Sequence, residues 1–183
     1  MTAWAGLVLL LLTGPSGALS PVASPSVTRV AVEVFRVGRT GASGGELVFS
    51  REEGPLEHGE NPDRRARGLA GDDPAAIALI HSTSWRWEPD GRVVLTYLAW
   101  MKDGRVESGA RPLPPLSPPG ATDPLHPRPV EIRELDPLAH GLRHLAFLVQ
   151  TSRDGTVAAA LGPDAIVALR RFEPELAGKR PPP

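Results

Sequence analysis

Between Val27 and Val37 the chain reads VTRVAVEVFRV, rich in β-branched residues, with Val30, Val32 and Val34 at every second position. That is the period of a strand, in which successive side chains point to opposite faces. A glycine-rich stretch, Gly38 to Gly45, leads to a second strand candidate at Glu46 to Arg51. From Arg51 to Asp73 the only large aliphatics are Leu56 and Leu69, so this stretch reads as a solvated connection with a short helix near Asp63 to Leu69. Ala75 to Ile80 then leads into the strongest pattern of the chain. His81 to Met101, HSTSWRWEPDGRVVLTYLAWM, reads as a β-hairpin and holds three of the four tryptophans and the only tyrosine. Its turn is Pro89-Asp90-Gly91, where Pro presets φ, Asp tolerates the bridge conformation and Gly accepts the left-handed position. This turn pairs Glu88 with Arg92. Unbroken alternation then predicts His81, Thr83, Trp85 and Trp87 on one face with Val93, Leu95, Tyr97 and Ala99. The other face carries Ile80, Ser82, Ser84 and Arg86 with Val94, Thr96, Leu98 and Trp100. The aromatic face is expected to be the core side, and the mixed face to meet water or line a pocket.

Glu107 to Pro129 holds eight prolines in twenty-three residues. Proline lacks the backbone donor and fixes φ, which excludes a central strand or helix interior and predicts an extended surface loop. Its PxxP spacings, Pro112 to Pro115 and Pro115 to Pro118, match a partner-binding polyproline segment but need no partner to explain them. Val130 to Leu135 is a short strand candidate. Asp136 as N-cap and Pro137 at the first position open a helix whose buried stripe is Leu138, Leu142, Leu145 and Val149. TVAAAL ends at Gly162, and Pro163-Asp164 begins a last helix running to Arg171. Together these elements predict a single α+β domain over residues 27–174. It is a mostly antiparallel sheet built on the hairpin and packed by one main C-terminal helix, with residues 175–183 as a disordered tail.

Residues 1–26 carry no charged side chain and contain the aliphatic run Leu7 to Leu12 followed by small residues up to Ala18. This resembles a secretory signal in its apolar centre and small-residue exit but lacks a basic start. Export by a cleaved signal is one expectation; the alternative is a cytoplasmic protein whose true start lies near Val27. The apolar run is too short to cross a bilayer, so no integral membrane domain is expected. The 183-residue chain is 41% hydrophobic with a net charge of -1, which gives no field for nucleic acid. With no cysteine, disulfides, thiolate zinc sites and cysteine nucleophiles are excluded. No cofactor is expected, apart from a divalent metal in the alternative below.

Two groups of residues carry candidate chemistry. His140 and His144 are four apart on the predicted helix and project from one face, on its less buried side. That is metal-ligand spacing, but the segment is HGLRH and lacks the glutamate of HExxH, so a third ligand is needed and His81 is the first candidate. Asp136, one turn earlier, is better explained as the cap. The second group is the mixed face of Ser82, Ser84, Arg86 and Thr96, where an arginine among hydroxyls matches a carboxylate or phosphate, or else a solvated edge. The hydroxyls at Ser82, Thr83 and Ser84 lie within one strand without an elbow or a facing base, so they do not form a hydrolase triad. GRTGASGG lacks the Gly-Lys-Ser/Thr that opens a helix in a phosphate loop. The carboxylates between Glu52 and Asp73 match no cation-binding loop.

The paired segments HSTSWRWEPDGRVVLTYLAW and HGLRHLAFL resemble those of uncharacterised proteins of high-G+C Gram-positive bacteria, over roughly Ala75 to Leu161; no activity comes with the resemblance. The order of elements is also similar to a Nudix-like arrangement. REEGPLE at Arg51 and RELDP at Arg133 match only the opening of a Nudix box, so pyrophosphohydrolase activity does not carry over. The leading expectation is therefore a non-catalytic binding domain for a small molecule or protein, using Ser82, Ser84, Arg86 and Thr96. The alternatives are a hydrolase-like, metal-dependent enzyme using His81, His140 and His144, and an exported protein whose proline-rich segment recruits a partner.

Overall fold

The computed structural model describes residues 29–41, 45–102, 105, 109–116 and 132–175. The signal-like segment, most of the proline-rich stretch and the tail beyond residue 175 lie outside the described residues. In chain order the elements are β1 (Arg29–Arg39), β2 (Leu47–Pro55), α1 (Pro62–Ala70), β3 (Ile77–Trp87), β4 (Arg92–Met101), β5 (Arg111–Pro112), α2 (Asp136–Thr151), α3 (Thr156–Leu161) and α4 (Pro163–Leu169). The five-stranded sheet runs β3-β4-β1-β2-β5. β1 lies parallel to β4, and every other neighbouring pair is antiparallel. The α+β class and the mostly antiparallel sheet match the expectation. The hairpin, β3 and β4, forms one side of the sheet, and β1 occupies the middle.

That central position buries β1 on both faces. Phe35 and Val37 pack with Phe49, Leu98 and Trp100 beneath Leu138, Leu142 and Leu145 of α2, while Val32 and Val34 pack with Tyr97, Ala99 and Met101 beneath Ala66 and Ala70 of α1. α2 is therefore the main helix on one face, with α3 and α4 beside it, and α1 closes the other. The stripe Leu138, Leu142 and Leu145 is buried as expected, and Val149 packs at its margin. α1 begins at Pro62 behind an Asn61 cap, whose side chain accepts from the Arg64 backbone N–H at 3.0 Å. Its two alanines let it lie close to the sheet. The Tyr97 hydroxyl donates to Asp63 Oδ1 at 2.7 Å and ties α1 to β4.

The hairpin turn forms as its residues dictate. Gly91 adopts φ 81°, and the Glu88 N–H donates to Arg92 O at 2.8 Å. Trp87 pairs with Val93, Trp85 with Leu95, Arg86 with Val94 and Ser84 with Thr96, as expected. Beyond Ser84 the register shifts by one residue at Thr83, so Ser82 pairs with Tyr97, His81 with Leu98 and Ile80 with Ala99. This is a β-bulge, which re-aims the side chains from Ser82 to Leu79; a second shift between Ile77 and Leu79 then pairs Ile77 with Met101. His81 thus joins the α2 face, and Ser82 moves to the α1 face. Nor is the aromatic face the main core: Trp85 is 60% exposed, whereas Trp100, from the expected mixed face, is fully buried.

Two smaller expectations are also corrected. Residues 132–135 form an irregular turn in place of the end of a strand. The helix cap is Leu135, and the Asp136 carboxylate accepts instead from the Arg133 backbone N–H at 2.9 Å and from its Nε at 3.0 Å.

Burial and the bond to Asp63 raise the Tyr97 phenol to about 12. Because it is the only tyrosine, the absorbance change near 295 nm reports it alone. That change is expected to have its midpoint near the raised value and to move down in Asp63→Asn; an ordinary phenol midpoint near 10 in the wild type would contradict this packing.

Candidate functional site

Thr83 is the extra residue of the bulge, and its Oγ1 donates to Thr96 O at 3.3 Å. Directly above it α2 carries Gly141. A Cβ there would lie 3.2 Å from Leu98 Cδ1 and 3.3 Å from Thr83 Cγ2, so the helix approaches the sheet this closely only because the side chain is missing. The approach brings the histidines of the two elements together. His81 Nε2 lies 3.3 Å from His144 Nε2, with ring centroids 5.3 Å apart. His140 stacks almost parallel behind His144 at 6.4 Å, and Phe147 stacks on its other neighbouring position at the same spacing. His144 is buried, which corrects the expectation that the helical pair lies on the less buried side.

Burial lowers the pKa of His81, and the charge of His144 lowers it further. Burial also lowers His144, partly offset by a hydrogen bond to the Glu175 backbone and assisted by His140. Both rings are therefore neutral at pH 7, one nitrogen donating across the gap and the other accepting. A 3.3 Å separation also equals the nitrogen-to-nitrogen edge of a tetrahedral zinc site, which is about 3.3 Å for Zn–N bonds of about 2.05 Å. Of the three expected ligands, His81 and His144 meet, and His140 stacks behind instead of converging. Among the described residues no group of three or more His, Cys, Asp or Glu is placed to hold a metal ion.

The second expected group is brought together in part. Ser84, Arg86 and Thr96 share the α2 face, without Ser82. Arg86 is already engaged: its Nη1 donates to Glu33 Oε1 at 2.6 Å, its Nη2 to Glu33 Oε2 at 3.1 Å, and its Nε pairs with Glu88. Thr96 donates to the same Glu33 at 2.9 Å, and Arg51 Nε does so at 2.6 Å. Arg51 and Arg92 then share Glu53. The guanidinium read as an anion receptor is thus the inner half of an ion-pair belt, and Glu33, 1% exposed, is its hub. Glu33 was not among the residues singled out from the sequence. The signal was a carboxylate inside VAVEVFRV, on the strand face opposite Val30, Val32 and Val34.

Two further features emerged only with the fold. An open cleft of about 530 Å³ runs between α1 and residues 77–80 of β3, walled by Arg64 and Arg67. A polar cleft of about 430 Å³ lies over β2 beside β5, lined by Arg36, Arg51, Arg111 and carboxylates including Glu52 and Glu134.

Glu33→Ala is expected to lower stability by about 3 kcal/mol or more in urea unfolding, because it leaves the two terminal nitrogens of the partly buried Arg86 without their carboxylate and only Glu88 on its Nε. A change within about 0.5 kcal/mol would show the belt to be a solvated surface network. For the histidines, the folded-state values lie below the ordinary one, so the unfolded chain takes up protons first as the pH falls. Stability is expected to be complete above about pH 6.5 and to fall as the pH drops below it toward the folded-state values. Thermal unfolding across that window should show the loss, and His81→Gln should flatten it. Comparison with protein-family models, with curated proteins and with solved structures finds no match to this chain.

Proposed function

We propose that this protein is a non-catalytic binding domain whose contact surface is built on β3. The observation that carries this reading is that β3 is an eleven-residue strand at the edge of the sheet. A strand in that position presents backbone donors and acceptors to an incoming chain, and natural proteins blunt such edges with lysine, proline or brevity. β3 has neither lysine nor proline, and between its bulges residues 79–82 and 84–87 pair regularly, whereas β5 at the opposite edge is two residues long and ends in Pro112. Trp85, 60% exposed beside the half-buried Trp87, supplies the aromatic surface typical of contact sites. Ser84 and Arg86 belong to the same strand, and in this reading Arg86 stiffens it through Glu33 instead of touching the ligand. The ligand is a protein segment, because the strand offers a line of contacts and not an enclosed chamber.

Selection from a random peptide display library by the full chain tests this. Peptides enriched over a bait-free control are expected to slow amide hydrogen exchange along β3. No enrichment, or protection confined to other elements, would overturn the reading.

The contact between His81 and His144 supports a second reading, a metal-dependent hydrolase-like enzyme using those two residues with His140 beside them. Calorimetric titration with Zn²⁺ is expected to show stoichiometric binding that is lost in His81→Ala/His144→Ala. Absence of binding to the wild type would retire this reading and leave the histidines as a packed, hydrogen-bonded pair.

A further inference from the structure

Residues 77–80 of β3 all line the same cleft, so one wall of it is the outer margin of the strand, backbone included. The opposite wall is α1. Arg64 and Arg67 stand three apart on that helix and therefore share a side. Both are exposed, and among the described residues neither guanidinium has an ion-pair or hydrogen-bond partner. This sets them apart from Arg51, Arg86, Arg92, Arg111, Arg133 and Arg143, each of which meets a carboxylate. Asp72 lines the cleft too, leaving two cations against one anion. Gly68 and Gly71 keep the helix wall low, and a Cβ on Gly68 would meet nothing within 4 Å. The floor is apolar, with Ile77 and Ile80 half-buried.

We propose that this cleft receives an extended acidic segment of a partner protein, which adds to the sheet as a strand beyond β3 and places its carboxylates against Arg64 and Arg67. The proposal rests on the reading of β3 as the binding strand and gives that reading a partner chemistry. A strand laid along the edge gains main-chain hydrogen bonds, and its alternate side chains turn toward the helix wall. There the two guanidiniums select carboxylates, with a bidentate geometry suited to them. Two segments of the chain itself do not match this chemistry. A second copy of β3, IALIHSTSWRW, brings no carboxylate, and the last residues of the chain bring Lys179 and Arg180, of the same sign as the wall.

The library selection already described separates this proposal from the reading beneath it. The enriched peptides are expected to alternate Asp or Glu with β-branched or aromatic residues, and to weaken steeply with added salt. Their affinity should fall at least tenfold in Arg64→Glu/Arg67→Glu, and equally in Gly68→Leu, which fills the cleft without changing charge and favours the helix. Circular dichroism checks that both variants are folded. Peptides that protect β3 but show no acidic preference, or that bind both variants as tightly as the wild type, would overturn the acidic-strand proposal and leave the binding-domain reading standing. Failure to enrich any peptide would overturn both.

Discussion

The buried carboxylate of Glu33 is the interaction on which the arrangement of this sheet turns. It sits on the middle strand and gathers Arg51 from β2, Thr96 from β4 and Arg86 from β3, so that a single acidic group links four strands through their side chains. On the same face, further along β1, Phe35 and Val37 are covered by α2 and the short helices that follow it. The face is therefore divided: helices close one part, and paired charges close the other. An ion pair of this kind contributes little net stability over an apolar replacement, but it tolerates no missing member. That intolerance fixes the relative positions of strands whose order in the chain differs from their order in the sheet.

Much of the local structure was legible because local chemistry decides it. The hairpin turn follows from Pro89, Asp90 and Gly91; the first strand from its valines; α2 from its leucine stripe; and the break at Gly162 from glycine. The parallel pairing of β1 with β4 was not legible, because it depends on a crossover through α1 that no short window contains. Once β1 is central, both of its faces are buried, and the rule of one wet face and one dry face misplaces Glu33. The candidate site was legible only in part for a similar reason. The histidines were found from helical spacing, but their depth depends on Gly141, and the facing of His81 depends on one unpaired residue whose type gives no warning of it.

The two margins of the sheet are treated differently. At β5 the chain pairs for two residues, reaches Pro112 and buries Leu113, which ends the sheet. At β3 the strand continues for its full length with an aromatic residue facing solvent. Among the described residues β3 is thus the longer outermost strand, and the reading proposed above places recognition there. There the apolar floor, the arginines of α1 and the exposed Trp85 lie along a single strand, whereas the histidine pair lies on its inner face, turned toward α2.

The extra residue at Thr83 has a consequence for how this chain can vary in length. It separates two segments of β3 of opposite phase: Ser84, Trp85, Arg86 and Trp87 follow the turn, while Leu79, Ile80, His81 and Ser82 follow the helices as far as a second shift before Leu79. Removing one residue there would exchange the inward and outward members of the second segment, sending Ile80 to the histidines of α2 and His81 to the alanines of α1. Substitution at each position changes one neighbour, whereas a single deletion changes all of them at once. The strand is thus free in composition along much of its length and rigid in its count, with Thr83 as one of the two points where the count is kept.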